Sequence, residues 1–356
     1  MTPGDPDLPA DAPIVVRDAR KLLATQEPHT HHMASLARLP GGRLVLSFSR
    51  VPSTRRLNNG VLMVTRSDDN GATWTTPEAV YTNSGWDCLN MGGLMPFGGE
   101  RLLLALGRLQ IDPTLAGDEP CTGWYMATRS SADRGETWSP VGPEVRLFPG
   151  WTELYGASNP HRVADGRHML AAIGTTGRDA GWRAGVTFTD DLGATFSPPV
   201  VVAEHPKLGF GDMDIVRLAD GRFLAVARVF GGRPSVFARS ADDGRTWSDP
   251  RPTDFAGANI KLHRLRSGAV LCAYRDECGN RSGVACSVSE DAGESWRRLG
   301  WLAAPGGGPP PLADGVRCGY PDIATSGGRE LVGVLHPTAD ATGCVDIRWL
   351  RLEDRT

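Results

Sequence analysis

The sequence predicts an all-β protein, a six-bladed β-propeller with four-stranded blades whose ring is closed by the N-terminal strand. The first observation behind this prediction is an octad, Ser/Thr-x-Asp-x-Gly-x-Thr/Ser-Trp/Phe, that occurs five times. The second is its spacing of roughly 50–65 residues, which is about the length of one four-stranded blade. The third is that the 44 glycines and 27 prolines are spread over turn positions along all 356 residues, as is typical of a protein with many hairpins.

The repeated octad is predicted to be a tight hairpin turn and not a catalytic site. Its Asp carboxylate accepts backbone N–H groups of its own turn, and its Gly supplies a backbone angle closed to residues with a Cβ. Its aromatic residue packs between neighbouring sheets. The five copies span residues 67–74, 131–138, 189–196, 240–247 and 289–296.

The elements follow in chain order from a short lead. Residues 1–13 are predicted to be a disordered lead, and residues 14–356 a single domain. The strand at 14–16 precedes the first repeat and has no blade of its own. We expect it to form the outer strand of the last blade, since an unclosed ring would expose strand edges.

Each blade is predicted to begin with an inner strand, followed by a Gly-containing hairpin, a second strand, an upper loop, a third strand and the octad. The last blade has no octad, as expected if its fourth strand comes from the N-terminus. With octads and short hairpins at the lower face, the starts of the inner strands and the ends of the second strands converge at the upper face, around the axis. The six inner strands are predicted to begin near His32, Asn90, Tyr155, Asp212, Ala258 and Tyr320.

Composition and charge argue against several classes of function. The net charge is −3 and the arginines form no basic stripe, which excludes a nucleic-acid partner. No apolar run approaches the roughly 18 residues that span a bilayer, and residues 1–13 lack the basic and apolar regions of a secretory signal. The seven cysteines are odd in number and lack zinc-ligand spacing, so we expect free thiols and a cytoplasmic location. We expect no metal and no cofactor, and the sequence does not indicate an oligomeric state.

The positions predicted to meet at the upper face are unusually polar. Several are arginines, whose planar guanidinium suits a carboxylate or a similar anion. His31 and His32 open the first inner strand and are candidates for proton transfer, because imidazole titrates at about pH 6.5. The candidate ligand contacts are Arg50, Asp87, Arg228, Asn259, Arg275, Arg281 and Arg317.

The octad resembles the Asp box of the sialidase (neuraminidase) superfamily, in which it is a structural turn opposite the active site. Residues 212–222 (DMDIVRLADGR) followed by Arg228 resemble a frame of that superfamily in which a Glu opens an inner strand and an Arg closes the next; here Asp212 takes the place of the Glu. The stretch 280–284 (NRSGV) is similar to the region of a second clamp arginine. The stretch 318–323 (CGYPDI) resembles the motif that carries the nucleophilic Tyr.

The sequence departs from the superfamily at two places. An Arg-Ile-Pro motif is replaced by His32-Met33-Ala34, and residues 51–60 contain no Asp to act as the acid. The resemblance implies that Tyr320 is the nucleophile, that Asp212 activates it, and that Arg228 and Arg281 hold an anionic group. A phenol with a pKa of about 10 needs such a carboxylate partner. His31 or His32 would replace the missing acid.

The sequence therefore predicts a sialidase-like glycoside hydrolase that acts on a terminal acidic or otherwise unusual sugar, with a carbohydrate or another small anion as its substrate. Two alternatives remain open. The first is a lyase that cleaves a uronate linkage after Tyr or His removes a proton. The second is a non-catalytic propeller that binds glycans.

Overall fold

The fold is that of a computed structural model, which describes residues 6–22, 30–51, 58–112, 114, 121–155, 160–176, 181–276, 283–303, 319–336 and 346–356. Within these ranges the chain forms strands and one short 3-10 helix, Pro40–Gly42, and no helix there is long and apolar enough to cross a bilayer. The strands are β1 (Ile14–Lys21), β2 (Thr30–Arg38), β3 (Leu44–Val51), β4 (Val61–Ser67), β5 (Glu78–Tyr81), β6 (Asp87–Pro96), β7 (Leu102–Ile111), β8 (Cys121–Ser131), β9 (Thr152–Tyr155), β10 (His161–Arg162), β11 (His168–Thr175), β12 (Trp182–Thr189), β13 (Val200–Ala203), β14 (Phe210–Arg217), β15 (Phe223–Val229), β16 (Arg233–Ser240), β17 (Arg251–Pro252), β18 (Gly257–Arg264), β19 (Val270–Asp276), β20 (Val284–Ser289), β21 (Arg297–Ala303), β22 (Gly319–Gly327), β23 (Glu330–His336) and β24 (Arg348–Asp354).

These strands form six antiparallel sheets, which confirms the predicted six-bladed propeller. Blades 1, 4 and 5 are β2–β5, β14–β17 and β18–β21 in sequence order. In blade 3 the inner edge is divided, because β9 and β10 both pair with β11. The buried apolar residues of the described chain fall into clusters that each lie between two neighbouring blades, so the ring is held by contacts between sheet faces.

Blade 2 contains three regular strands, β6, β7 and β8. The segment 139–145 runs along β8 in the fourth position, where the N–H groups of Ser139, Gly142 and Val145 donate to β8 carbonyls at 2.8–2.9 Å. Pro140 and Pro143 lie between these donors and have no N–H group. This segment is therefore joined to β8 at every third of its residues, which is why it is not a regular strand.

The N-terminal strand closes the ring, as predicted. In blade 6 the order is β22, β23, β24 and β1, and β1 pairs antiparallel with β24 from Ile14 opposite Asp354 to Lys21 opposite Arg348. Residues ahead of β1 are also packed against the ring, since Asp7 exchanges two backbone hydrogen bonds of 2.8 Å with Trp301 of blade 5. Asp7, which belongs to the lead that was predicted to be disordered, therefore contacts the propeller.

The five octads form the same turn. In the first, Asp69 accepts the backbone N–H of Thr73 at 2.8 Å and its hydroxyl at 2.6 Å, while Ser67 accepts the N–H of Gly71 at 2.8 Å. The Thr73 hydroxyl lowers the pKa of Asp69 to about 2. Gly71 has a φ of +86°, which favours glycine. The other four Asp residues make the same pair of bonds.

Octads and short hairpins share the lower face of the ring. The backbone N–H of Arg134 in the second octad donates to the carbonyl of Glu100 in a hairpin at 3.0 Å. Asp243 in the fourth octad accepts the N–H of Ala164 in the hairpin of blade 3 at 2.9 Å. Because each octad follows the lower end of a third strand, the starts of the inner strands lie at the opposite, upper face.

Five of the inner strands carry a register shift near their upper ends, in β2, β6, β14, β18 and β22. In four of them the first unpaired residue has a positive φ: Met33 at 54°, Asp212 at 43°, Asn259 at 50° and Tyr320 at 47°. Such a bulge turns a side chain out of the regular alternation of the strand. Left-handed backbone at non-glycine residues costs energy and clusters at functional sites.

Candidate active site

The bulges place three candidate residues at equivalent positions of neighbouring blades. Asp212, Asn259 and Tyr320 are the first bulge residues of blades 4, 5 and 6. Directly above each bulge, one residue of the inner strand is paired with one residue of the second strand. These pairs are Gly211 with Arg228, Ala258 with Arg275, and Gly319 with His336.

Hydrogen bonds link these residues across the three blades. Arg228 Nη1 donates to Asp212 Oδ2 at 3.0 Å, and Asn259 Nδ2 donates to Asp212 Oδ1 at 3.5 Å. The Asn259 carbonyl oxygen accepts Arg275 Nη1 at 2.9 Å and the backbone N–H of Tyr320 at 3.4 Å. Asn259 thus bridges the candidate carboxylate of blade 4 and the candidate tyrosine of blade 6. We call these five residues the bulge-layer group.

The bulge-layer group has an accessible part and a buried part. The side chains of Arg228 and Asp212 are 21% and 13% exposed, and Tyr320 is also partly exposed. Asn259 and Arg275 are buried. A ligand can therefore meet a carboxylate, a guanidinium and a phenol whose positions are set by polar groups beneath them.

The ring of His336 stacks on that of Tyr320, with centroids 5.2 Å apart and planes inclined by 29°. His336 is buried, and burial lowers its pKa to about 3, with the positive charge of Arg275 acting in the same direction. The imidazole is therefore neutral near pH 7. Its role in this geometry is to support the phenol ring.

A small cavity of about 20 Å³ lies below Tyr320, where the inner strands converge. It is lined by residues of β2, β6, β18 and β22, among them Met33, Asn90, Asn259 and Asp322. That volume holds about one water molecule. The cavity is therefore too small for a ligand much larger than water.

A layer of buried charge lies two residues below the bulges. Lys261 Nζ is 2.8 Å from Asp322 Oδ1, and Asp322 also accepts the backbone N–H of Leu36 in blade 1 at 2.7 Å. Asp214 accepts the N–H of Leu262 in blade 5 at 2.6 Å, and burial raises its pKa to about 7. These contacts tie blades 4, 5, 6 and 1 together and leave the three side chains facing protein.

His31 and Arg50 line a different cavity, of about 580 Å³, between blades 6 and 1. Its walls include Arg20 of β1 and Trp74 of the first octad. His31 is buried and packs edge-on against Phe48, with ring centroids 5.1 Å apart. The structure does not bring His31 or Arg50 to the lining of the cavity at Tyr320. His32 belongs to β2, but its side chain lies outside the described part of the chain.

Asp87 is fully buried at the start of β6. Its Oδ1 accepts the backbone N–H groups of Asn59 and Gly60 at 2.9 and 2.8 Å, so it holds the end of the upper loop of blade 1. Two further candidates, Arg281 and Arg317, lie outside the described residues. Within the described ranges, no three His, Cys, Asp or Glu side chains are grouped to hold a metal ion.

Sequence analysis missed a row of partly exposed aromatic residues at the upper face. Phe230 lies beside the bulge-layer group, with the Arg228 guanidinium carbon 4.9 Å from its ring centroid. From Phe230 the aromatic contacts extend to Trp182 and Trp151 of blade 3 and to Trp124 of blade 2. Position was a partial signal: Trp182 begins β12, and Trp151 and Phe230 lie next to a strand end, whereas Trp124 lies inside β8.

Comparison with known proteins agrees with the fold. A family model described as a BNR repeat-like domain matches residues 113–336. A protein of unknown function from Dyadobacter fermentans is 20% identical with a TM-score of 0.79, over 96% of this chain and 99% of that chain. No curated protein sequence matches the chain.

Two solved enzymes also share the fold. The intramolecular trans-sialidase from Ruminococcus gnavus, in complex with oseltamivir carboxylate, is 13% identical with a TM-score of 0.64, over 91% of this chain and 94% of that chain. An α-L-arabinanase from Penicillium chrysogenum, complexed with arabinobiose, is 15% identical with a TM-score of 0.60, over 91% and 93%. At such identities the likeness shows the fold alone.

Proposed function

The chain belongs to the BNR repeat-like domain family of the sialidase superfamily, and from this premise we propose that it is a glycoside hydrolase acting on a terminal sugar that carries an anionic group. The observation that carries the proposal is the bulge-layer group. It presents a carboxylate, a guanidinium and a phenol at one level of the upper face, from blades 4 and 6, with Asn259 between them.

The arginine is the basis for proposing an anionic group on the sugar. Arg228 donates a hydrogen bond from Nη1 to Asp212, and its side chain is partly exposed. Its guanidinium can therefore also donate to a ligand that approaches from the upper face. Arg275 is buried on Asn259 and adds positive charge beneath the same region. A carboxylate on the sugar would be held by direct hydrogen bonds to Arg228.

The proposed reaction uses Tyr320 and Asp212. The Tyr320 oxygen attacks the anomeric carbon, the glycosidic C–O bond breaks, and the leaving oxygen takes up a proton from solvent water. Asp212 accepts the phenolic proton, because a neutral phenol is a weak nucleophile. Water then releases the sugar from Tyr320 and restores the phenol. The proposal does not use His31, which lines the other cavity.

Product analysis tests the proposal. The protein is incubated with glycosides of sialic acids, uronic acids and pentoses, and released reducing sugar and ultraviolet absorbance are both recorded. A hydrolase releases reducing sugar that does not absorb, and Tyr320→Phe should lower the rate at least about 10²-fold. An absorbing, unsaturated product would identify a lyase. Binding without any product, seen as a ligand-dependent rise in Tm, would identify a glycan-binding protein.

A further inference from the structure

Four aromatic side chains are in contact on the upper face of blades 2 to 4: three tryptophans contact one another, and Phe230 contacts one of them. We call these four residues the row. Trp124 and Trp151 are stacked, with centroids 5.4 Å apart and an angle of 10° between their planes. Trp182 lies 5.8 Å from Trp124 and 6.2 Å from Trp151. Phe230 lies 6.5 Å from Trp182. All four residues are partly exposed. Trp124 and Trp182 also pack against the apolar clusters between blades 2 and 3 and between blades 3 and 4, so the row is the partly exposed upper edge of these clusters.

The row is fixed in place by backbone and glycine contacts. Trp124 Nε1 donates to the carbonyl of Thr152 at 2.9 Å, and Trp151 exchanges two hydrogen bonds with Thr175 at 2.9 and 3.0 Å. The Phe230 ring packs closely on the backbone of Gly211, where a Cβ would lie 2.8 Å from the ring. Rings that are already ordered lose little entropy when a ligand covers them.

The row begins at the bulge-layer group. The guanidinium carbon of Arg228 lies 4.9 Å from the Phe230 centroid, on the residue that also contacts Asp212. A chain of sugars whose terminal unit sits over Arg228 and Tyr320 can therefore continue across Phe230 and Trp182 without leaving the protein surface. Exposed aromatic patches on soluble proteins mark binding sites.

We propose that this row is a carbohydrate subsite for the sugar units that follow the terminal one, so that the substrate is an oligosaccharide or longer glycan. The proposal rests on the proposed function for the position of the terminal sugar. The C–H faces of pyranose and furanose rings are apolar and flat, and they stack on indole rings while their hydroxyls stay in water.

Binding by glycan length tests the subsite. The Tyr320→Phe protein is applied to an array of immobilised glycans of one to six sugars, so that binding is measured without turnover. Glycans of two or more sugars should bind at least about fivefold more tightly than their terminal monosaccharide, because stacking on an aromatic ring contributes about 1 kcal/mol or more. Adding Trp182→Leu should remove this gain and leave monosaccharide binding unchanged.

Two further variants separate loss of contact from loss of structure. Trp182→Tyr keeps an aromatic face and should restore most of the gain. Trp86→Leu is the matched control, because Trp86 is a partly exposed tryptophan that stacks on Arg108, 4.6 Å away, outside the row. It should leave the length dependence unchanged.

The outcomes for the two proposals are distinct. Equal binding of short and long glycans, no binding of any glycan longer than one sugar, or a length gain that survives Trp182→Leu would each overturn the subsite. A wild-type protein that shows the length gain but releases no sugar from the glycans it binds would overturn the hydrolase proposal and retain the subsite.

Discussion

Arg228 Nη1 lies 3.0 Å from Asp212 Oδ2, so the cation proposed to hold the ligand already shares its charge with the carboxylate proposed to activate Tyr320. The two residues belong to adjacent strands of one blade, and Asp212 reaches the arginine from a left-handed bulge position with φ of 43°. In the proposed reaction, ligand binding and catalysis are thereby coupled through one ion pair.

Asp212→Asn should separate these two effects. Loss of the base should lower kcat about 10²-fold or more. Loss of the carboxylate charge should tighten binding of the anionic sugar, by about tenfold or less because the pair is partly solvated. Steady-state kinetics and calorimetric titration measure kcat and the binding affinity.

The matched control is Asp220→Asn at the lower face, where Asp220 pairs with Arg222 at 2.7 Å. This variant should change neither kcat nor the affinity. Unchanged kcat in Asp212→Asn would contradict the assigned role.

His336 is expected to make the protein sensitive to acid. In the unfolded chain imidazole takes up a proton as the pH falls through about 6.5, whereas burial keeps folded His336 neutral down to a pKa of about 3. The unfolded state then binds more protons, so the free energy of unfolding falls as the pH falls from 6.5 towards 3. His336→Phe should reduce this slope by up to about 1.4 kcal/mol per pH unit.

Denaturant titrations between pH 4.5 and 7 measure that slope. His161 and His263 are partly buried, and desolvation lowers the pKa of each to about 4, so the variant should keep part of the acid sensitivity. Parallel curves for wild type and His336→Phe would show that the folded ring is protonated in this range.

Lys261→Met should destabilise the ring strongly. It removes the cation 2.8 Å from Asp322 and leaves that carboxylate buried without its ion-pair partner. Breaking a buried pair in this way costs about 3–5 kcal/mol. Adding Asp322→Asn should recover part of the loss, because the remaining side chain is neutral. Urea denaturation measures both variants, and a loss below about 1 kcal/mol for Lys261→Met would mean that the pair contributes little.

Gly71→Ala tests how closely an octad turn packs on the next blade. A Cβ at Gly71 would lie 2.3 Å from Trp349 of blade 6, whereas a Cβ at Gly221, in a lower hairpin, meets nothing within 4 Å. Both glycines have similar left-handed backbone, with φ of +86° and +89°. Gly221→Ala should therefore cost only the backbone strain of about 1–2 kcal/mol.

Gly71→Ala should cost a further 1–3 kcal/mol or so for the overpacked contact. Thermal and urea denaturation of the two variants give the difference directly. Equal losses would mean that Trp349 moves aside freely.

The blades could be predicted from the sequence because their signals are local. The bonds of Asp69 to Thr73 close within four residues, and each octad reports one turn independently of the rest of the ring. The predicted frame around Asp212 and Arg228 also depended on a single hairpin, and the structure places the two side chains in contact.

The parts that could not be predicted depend on register between strands. An extra residue at Met33 interrupts the alternation of side chains along β2, so the direction of His31 did not follow from its position in the sequence. The bridge from Asn259 to Asp212 joins residues 47 apart in two blades. The packing of Asp7 on Trp301 needs Gly300, where a Cβ would lie 2.2 Å from the Asp7 carbonyl oxygen.

The antiparallel ladder between β1 and β24 brings the two ends of the propeller chain to one corner of blade 6. A load pulling these ends apart would first break the contacts outside the ladder, the Asp7–Trp301 pair and the bond from the Arg355 N–H to the Pro13 carbonyl. It would then act on one rung of the ladder at a time, beginning at Ile14 and Asp354. The ring would then open like a zipper at low force, before any blade is stretched, and an optical trap would record this opening as a short first step in the extension.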